Sequence, residues 1–78
     1  MRNLANLHMG DDMAELNTPM NILKAALKKE KASYRFYDDL LKEHKSIEIL
    51  REMIEQLREE EYRHIQIIEK KITKLGLG

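Results

Sequence analysis

Apolar side chains recur along this chain at steps of three and four, in two long runs that share a rhythm but not a phase. The first passes through Met20, Leu23, Leu27, Glu30, Tyr34, Tyr37, Leu41 and His44. The second passes through Ile47, Leu50, Ile54, Leu57, Glu61, His64, Ile68, Ile72 and Leu75. Such spacing holds the apolar positions on one helical face, so each run predicts an amphipathic α-helix. Carried onward, the first rhythm lands on Glu48, Arg51, Glu55 and Arg58, all charged. A single continuous helix would lose its apolar face halfway along. A tight turn near Lys45 removes the conflict and predicts two antiparallel neighbours.

The ends of the two segments carry helix signals. Thr18-Pro19 suits an N-cap followed by proline at the first helical position. Ser46 can cap the second helix, with Glu48 in its first turn. Gly76 can take a left-handed C-terminal cap, with Leu77 as its hydrophobic contact. Residues 1–17 form a leader of uncertain structure, and residues 18–78 the helical hairpin domain. Each helix should run about 40 Å at 1.5 Å per residue. Two helices alone leave such wide apolar faces half covered, and small helical domains usually need more partners. Two copies around a two-fold axis would close a four-helix bundle. The expected fold is therefore all-α, an antiparallel helical hairpin that dimerises into that bundle.

Charge and composition narrow the function. Fourteen basic residues balance fourteen acidic ones, which leaves no electrostatic footprint for nucleic acid or an anionic membrane. No apolar run is long enough to span a bilayer, and Met1-Arg2-Asn3 lacks a signal-peptide core. Cysteine is absent, so disulfides, zinc-thiolate sites and thiol catalysis are excluded. These features favour a cytoplasmic location.

The candidate chemistry lies on the seam itself. Glu30, Glu61 and His64 occupy core positions, where a charge is costly unless paired or bound to metal. With a turn centred at 45.5, Glu30 and Glu61 face each other at one height, and His64 follows one turn later on the same face. Two-fold symmetry would gather four carboxylates and two imidazoles, a set suited to two divalent cations. Iron or manganese fits mixed carboxylate and imidazole ligation better than calcium does, and zinc stays open. The ordinary alternatives are a solvated Glu30 among Lys28, Lys29 and Lys31, and a core His64 satisfied by its neighbours. Glu59 and Glu60 fall on other faces as surface charge, Glu59 within reach of Arg63 at i,i+4. Met20 and Met53 suit core filling, and His44 a structural place by the turn. His8, in the leader, is uninformative.

The stretch Ile22-Leu23-Lys24-Ala25-Ala26-Leu27-Lys28-Lys29-Glu30, followed by Tyr34-Arg35-Phe36-Tyr37, resembles the first helix of the ferritin-like di-iron carboxylate proteins, most closely the rubrerythrin branch. Glu59-Glu60-Glu61-Tyr62-Arg63-His64-Ile65 resembles its second helix, which carries the Glu-x-x-His motif. The resemblance implies Glu30 as a terminal ligand, Glu61 as the carboxylate bridging both metals and His64 as a terminal nitrogen ligand. It implies no catalytic residue beyond the metal ligands. It makes Tyr37 a hydrogen-bond partner of the ligand carboxylates, with Tyr34 a weaker candidate. This chain supplies two helices where the usual member has four, and it cannot form the cysteine-ligated iron domain of rubrerythrins proper. The resulting expectation is a homodimer or higher homo-oligomer holding two iron ions per dimer and reacting Fe(II) with oxygen or peroxide. Iron storage in a larger assembly, or a helical interaction module without catalysis, are the rival readings.

Overall fold

In a computed structural model the chain is described over residues 16–43 and 45–77, with side chains from 48 onward in the second stretch. His8, His44 and most of the leader lie outside the described residues. Helix α1 spans Pro19–Glu43, a short 3₁₀ segment spans Lys45–Leu50, and helix α2 spans Arg51–Gly76. The described residues hold no strand, and no helix among them is long and apolar enough to cross a membrane.

The start of α1 follows its sequence signals. The Asn21 backbone N–H donates to Thr18 Oγ1 at 3.1 Å, and the Ile22 N–H to the Thr18 carbonyl at 3.0 Å. A cap of this kind contributes about 1 kcal/mol. Asn21 Nδ2 also donates to Asn17 Oδ1 at 3.2 Å, which fixes the entry of the chain.

The turn departs from expectation. The second α-helix begins at Arg51 rather than just after Ser46, and its N-cap, Leu50, makes no side-chain cap hydrogen bond. The intervening six residues wind as a 3₁₀ helix, whose three-residue turn stacks i over i+3. That winding sets Glu48 beside Arg51, with the Arg51 Nε–H donating to Glu48 Oε1 at 3.0 Å. The C-terminus differs too. Gly76 stays within the helix, and Leu77 follows at φ −81°, ψ −7°, right-handed and 84% exposed. Its N–H bonds back to the Thr73 carbonyl, and water reaches the remaining carbonyls of this open end.

The helices pack antiparallel, with Asp38 opposite Arg58 and Tyr34 opposite Tyr62, both pairs centred on residue 48 rather than on 45.5. The longer connection accounts for the shift. The described α1 stripe from Met20 to Leu41 is half-buried throughout. On α2 only Ile54 is fully buried, at 6% exposure, with Leu57, Ile68 and Ile72 half-buried. Met53 is not core filler: it is 49% exposed, as Phe36 is at 58%. Lysines gather toward the open end (Lys24, Lys28, Lys70, Lys71, Lys74, beside Glu69), and the turn end carries more carboxylates (Asp38, Asp39, Glu43, Glu48, Glu52, Glu55) than bases (Lys42, Arg51, Arg58).

Candidate metal centre

Glu30 comes from the middle of α1, and Glu61 and His64 come from one face of α2. Because both helices keep their seam phase through these positions, the three side chains converge. His64 Nδ1 lies 2.9 Å from Glu30 Oε1 and 3.2 Å from Glu61 Oε1. A protonated Nδ1 donates to both carboxylates. One ligand atom from each residue falls within 4.8 Å of the others. Glu30 and Glu61 are largely covered, with side-chain exposures of 22% and 17%, while the His64 side chain is 56% exposed.

Glu30 and Glu61 lie close enough to shift each other in opposite senses, with His64 bonded to both. Hydrogen bonding to Glu30, followed by burial, raises the Glu61 carboxyl above its ordinary range. The same bond, then that from His64, lowers Glu30. His64 is raised, chiefly by its hydrogen bond to Glu30. Two adjacent carboxylates resist simultaneous ionisation, and a nearby imidazolium relieves only part of the repulsion. A divalent cation would relieve more. Donors around one such ion, each at about 2.0–2.2 Å, must lie within roughly 4 Å of each other, so the observed cluster needs only slight contraction. The residues present fit a metal, and the set of two oxygens and one nitrogen suits iron or manganese. Three donors per chain leave any ion with coordination positions to fill from elsewhere.

Above Glu30 and His64 opens a recess of about 280 Å³, walled by Ile67 and Ile68. Elsewhere along the seam a second set of contacts joins the helices. There the Arg58 Nη1 donates to Asp38 Oδ1 at 2.6 Å and Lys31 reaches Glu69 at 3.7 Å between the helices, while Lys42 lies 2.9 Å from Asp38 Oδ2 within α1. Lys42, then Arg58, lower the Asp38 carboxyl. Tyr34 and Tyr62 meet there with ring centroids 6.3 Å apart.

The sequence missed these inter-helix ion pairs. Asp38 and Arg58 each sit one step off the apolar stripes, and only the observed register brings them opposite one another. The tyrosines also behave differently from expectation within one chain. Tyr37 packs edge-on against Phe36, Tyr34 tilts against Tyr62, and neither hydroxyl hydrogen-bonds Glu30 or Glu61. Glu59 is exposed as expected but forms no ion pair with Arg63, whereas Glu60 is half-buried rather than fully solvated.

No curated protein and no solved structure gives a significant match to the chain. A family model, Rubrerythrin, matches residues 21–78, which takes in both helices and all three residues of the cluster. Members of that family typically bind iron, in keeping with the donor set found here. The chain belongs to the rubrerythrin family, within the ferritin-like superfamily.

Proposed function

We propose that two copies of this chain pair across the open side of the hairpin and hold a di-iron centre between them, which reacts with oxygen or peroxide. The observation that carries this reading is the Glu30–His64–Glu61 cluster, drawn from two helices and opening on the uncovered side. Glu30, Glu61 and His64 of each copy would hold the ions, six donors for two metals. Manganese or zinc would fit the same residues. The exposed Met53 and Ile67 and the half-buried Leu57 support a second copy as the missing wall, since exposed apolar side chains beside a polar cluster favour association.

Bound iron would supply the electrons that reduce an oxygen species, while the protein supplies position and a dry surrounding. Each residue has a task within that frame. Glu61, its carboxyl raised beside Glu30, would exchange any proton it holds for the cation. His64 turns Nδ1 toward the carboxylates and must be neutral to ligate, so it too gives up a proton as metal enters. Ile67 and Ile68 would present an apolar wall to the recess once a second copy covers it. Elemental analysis of protein purified without chelators, together with its solution mass, tests the proposal. Two iron ions per dimer-sized particle is the expected result, and a metal-free monomer of full helicity would overturn it.

A further inference from the structure

Glu60 is half-buried on α2, yet among the described residues it joins no ion pair or side-chain hydrogen bond. It belongs to a run at steps of four and three: Met53, Leu57, Glu60, His64, Ile67 and Lys71. That spacing holds all six on one narrow strip of the helix. His64 and Ile67 line the recess over the cluster, and Ile67 and Lys71 line the groove beside it. The strip therefore looks out on the uncovered side.

Its chemistry is symmetric about residue 62. Reversed upon itself, the strip sets Leu57 against Ile67, Glu60 against His64, and Met53 against the alkyl stem of Lys71. Laid parallel on itself, it stacks Glu60 on Glu60, His64 on His64 and Lys71 on Lys71. Like charges so juxtaposed are costly, and the reversed arrangement avoids them. The ends of the hairpin agree, because reversal brings the carboxylate excess of the turn against the lysines of the open end. Residue 62 also adjoins Glu61. A two-fold axis at that level passes within about 1.5 Å of Glu61 along the helix, so the donors of both copies stay at one height.

The imidazole of His64 has a matching need. Its Nδ1 is turned to Glu30 and Glu61 at 2.9 and 3.2 Å, which leaves Nε2 on the far edge of a ring 56% exposed. Among the described residues nothing accepts from Nε2. A ring that binds metal through one nitrogen donates N–H from the other, and a carboxylate there fixes its tautomer and orientation.

We propose that α2 of two copies runs antiparallel across the open side, and that Glu60 of each accepts a hydrogen bond from Nε2–H of the other copy's His64. This rests on the paired reading above and adds to it an orientation and a positioning residue supplied in trans. Glu60 acts through His64 and not on the metal: it holds the neutral ring with Nδ1 toward the cation. Burial between the copies strengthens the bond.

The test uses the full chain loaded with zinc, which fits the same donors and is not paramagnetic. Cysteine is absent, so Glu52→Cys and Gln66→Cys each give one exposed spin-label site per copy. An antiparallel pair about residue 62 separates labels at position 52 by about 30 Å along the bundle, and labels at position 66 by about 12 Å. A parallel pair separates neither. The expected result is a clearly longer inter-label distance at position 52. Equal distances within a dimer would overturn the antiparallel arrangement and leave the metal-linked dimer standing, whereas a monomer would overturn both.

Nitrogen-15 NMR reads the bond itself. The wild-type chain should show a His64 Nε2–H resonance protected from solvent exchange, and Glu60→Ala should lose it with helicity and saturating zinc stoichiometry unchanged. Isotope-labelled wild-type chains, mixed with excess unlabelled Glu60→Ala chains before zinc is added, should lose most of the resonance as mixed dimers form. Its persistence there would overturn the proposal, because the acceptor would lie in the same chain as His64. Loss of zinc from Glu60→Ala at saturation would overturn the positioning role and make Glu60 a ligand.

Discussion

The two sides of one helical seam contrast sharply. On one side the helices satisfy each other: Asp38 takes Arg58 and Lys42, Lys31 takes Glu69, and Tyr34 leans on Tyr62. On the other side Glu30, Glu61 and His64 bond among themselves beneath an open recess, flanked by isoleucines with nothing over them. The first side fixes how the two helices lie. The second is chemically unfinished, with three candidate donors per chain and an apolar wall exposed to water. A hairpin built this way separates its ion-paired face from its candidate metal donors.

The largest effect expected from breaking that contrast is at Glu61. Glu61→Ala should abolish metal binding, measured as metal per chain after anaerobic loading and desalting, while Glu59→Ala leaves it intact. Equal loss in both variants would show that the assigned face is wrong. Next comes assembly. Ile67→Lys beside the recess should halve the particle mass by light scattering, whereas Arg35→Ala on the closed side should not change it.

On the closed side, Asp38→Ala leaves Arg58 without its acceptor, and the Arg58 Nε already has none. The expected result is a fall of a few degrees in melting temperature with metal stoichiometry retained. Loss of metal in this variant would erase the distinction between the two sides.

The smallest effect is a difference in pH slope. His64 is raised on folding, so its stabilising contribution is present below its unfolded value of about 6.5 and is lost as pH rises through the higher folded value. The raised Glu61 acts in the same direction, within the lower carboxyl range. Glu30 is lowered, so its contribution is present above the ordinary carboxyl range and is lost as pH falls through its folded value. From about pH 6 to pH 8, metal-free protein should therefore melt slightly lower as pH rises. Metal affinity should change in the opposite sense, because protons and cations compete for the same atoms. Parallel slopes with and without metal would count against His64 as a shared binding atom.

Much of this arrangement was legible from periodicity. The described part of the α1 stripe is the face that packs, and the phase slip between the runs does mark a reversal of the chain. The convergence of Glu30, Glu61 and His64 followed from the same rhythm, because a helix transmits phase faithfully across its length. What escaped was whatever depended on register or on weak local signals. A 3₁₀ winding carries no composition of its own, so the start of α2 was placed too early and the pairing centre moved with it. Arg58 illustrates the cost. As a charged residue it argued correctly against one continuous helix, yet in the hairpin it is only 26% exposed and joins the helices. Gly76 permits a left-handed cap, but an end exposed to water does not require one.

The uneven placement of charge along the hairpin reaches beyond any single molecule. Formal neutrality suggests a protein indifferent to ionic strength, but among the described residues the excess of lysines at the open end and of carboxylates at the turn gives the hairpin a dipole along its length. In dilute buffer, opposite ends of neighbouring molecules attract, with no net charge to keep them apart. At about 0.1 M salt the Debye length shrinks to about 10 Å, shorter than either helix, and the attraction fades. The protein should accordingly salt in, being more soluble in moderate salt than in dilute buffer at neutral pH.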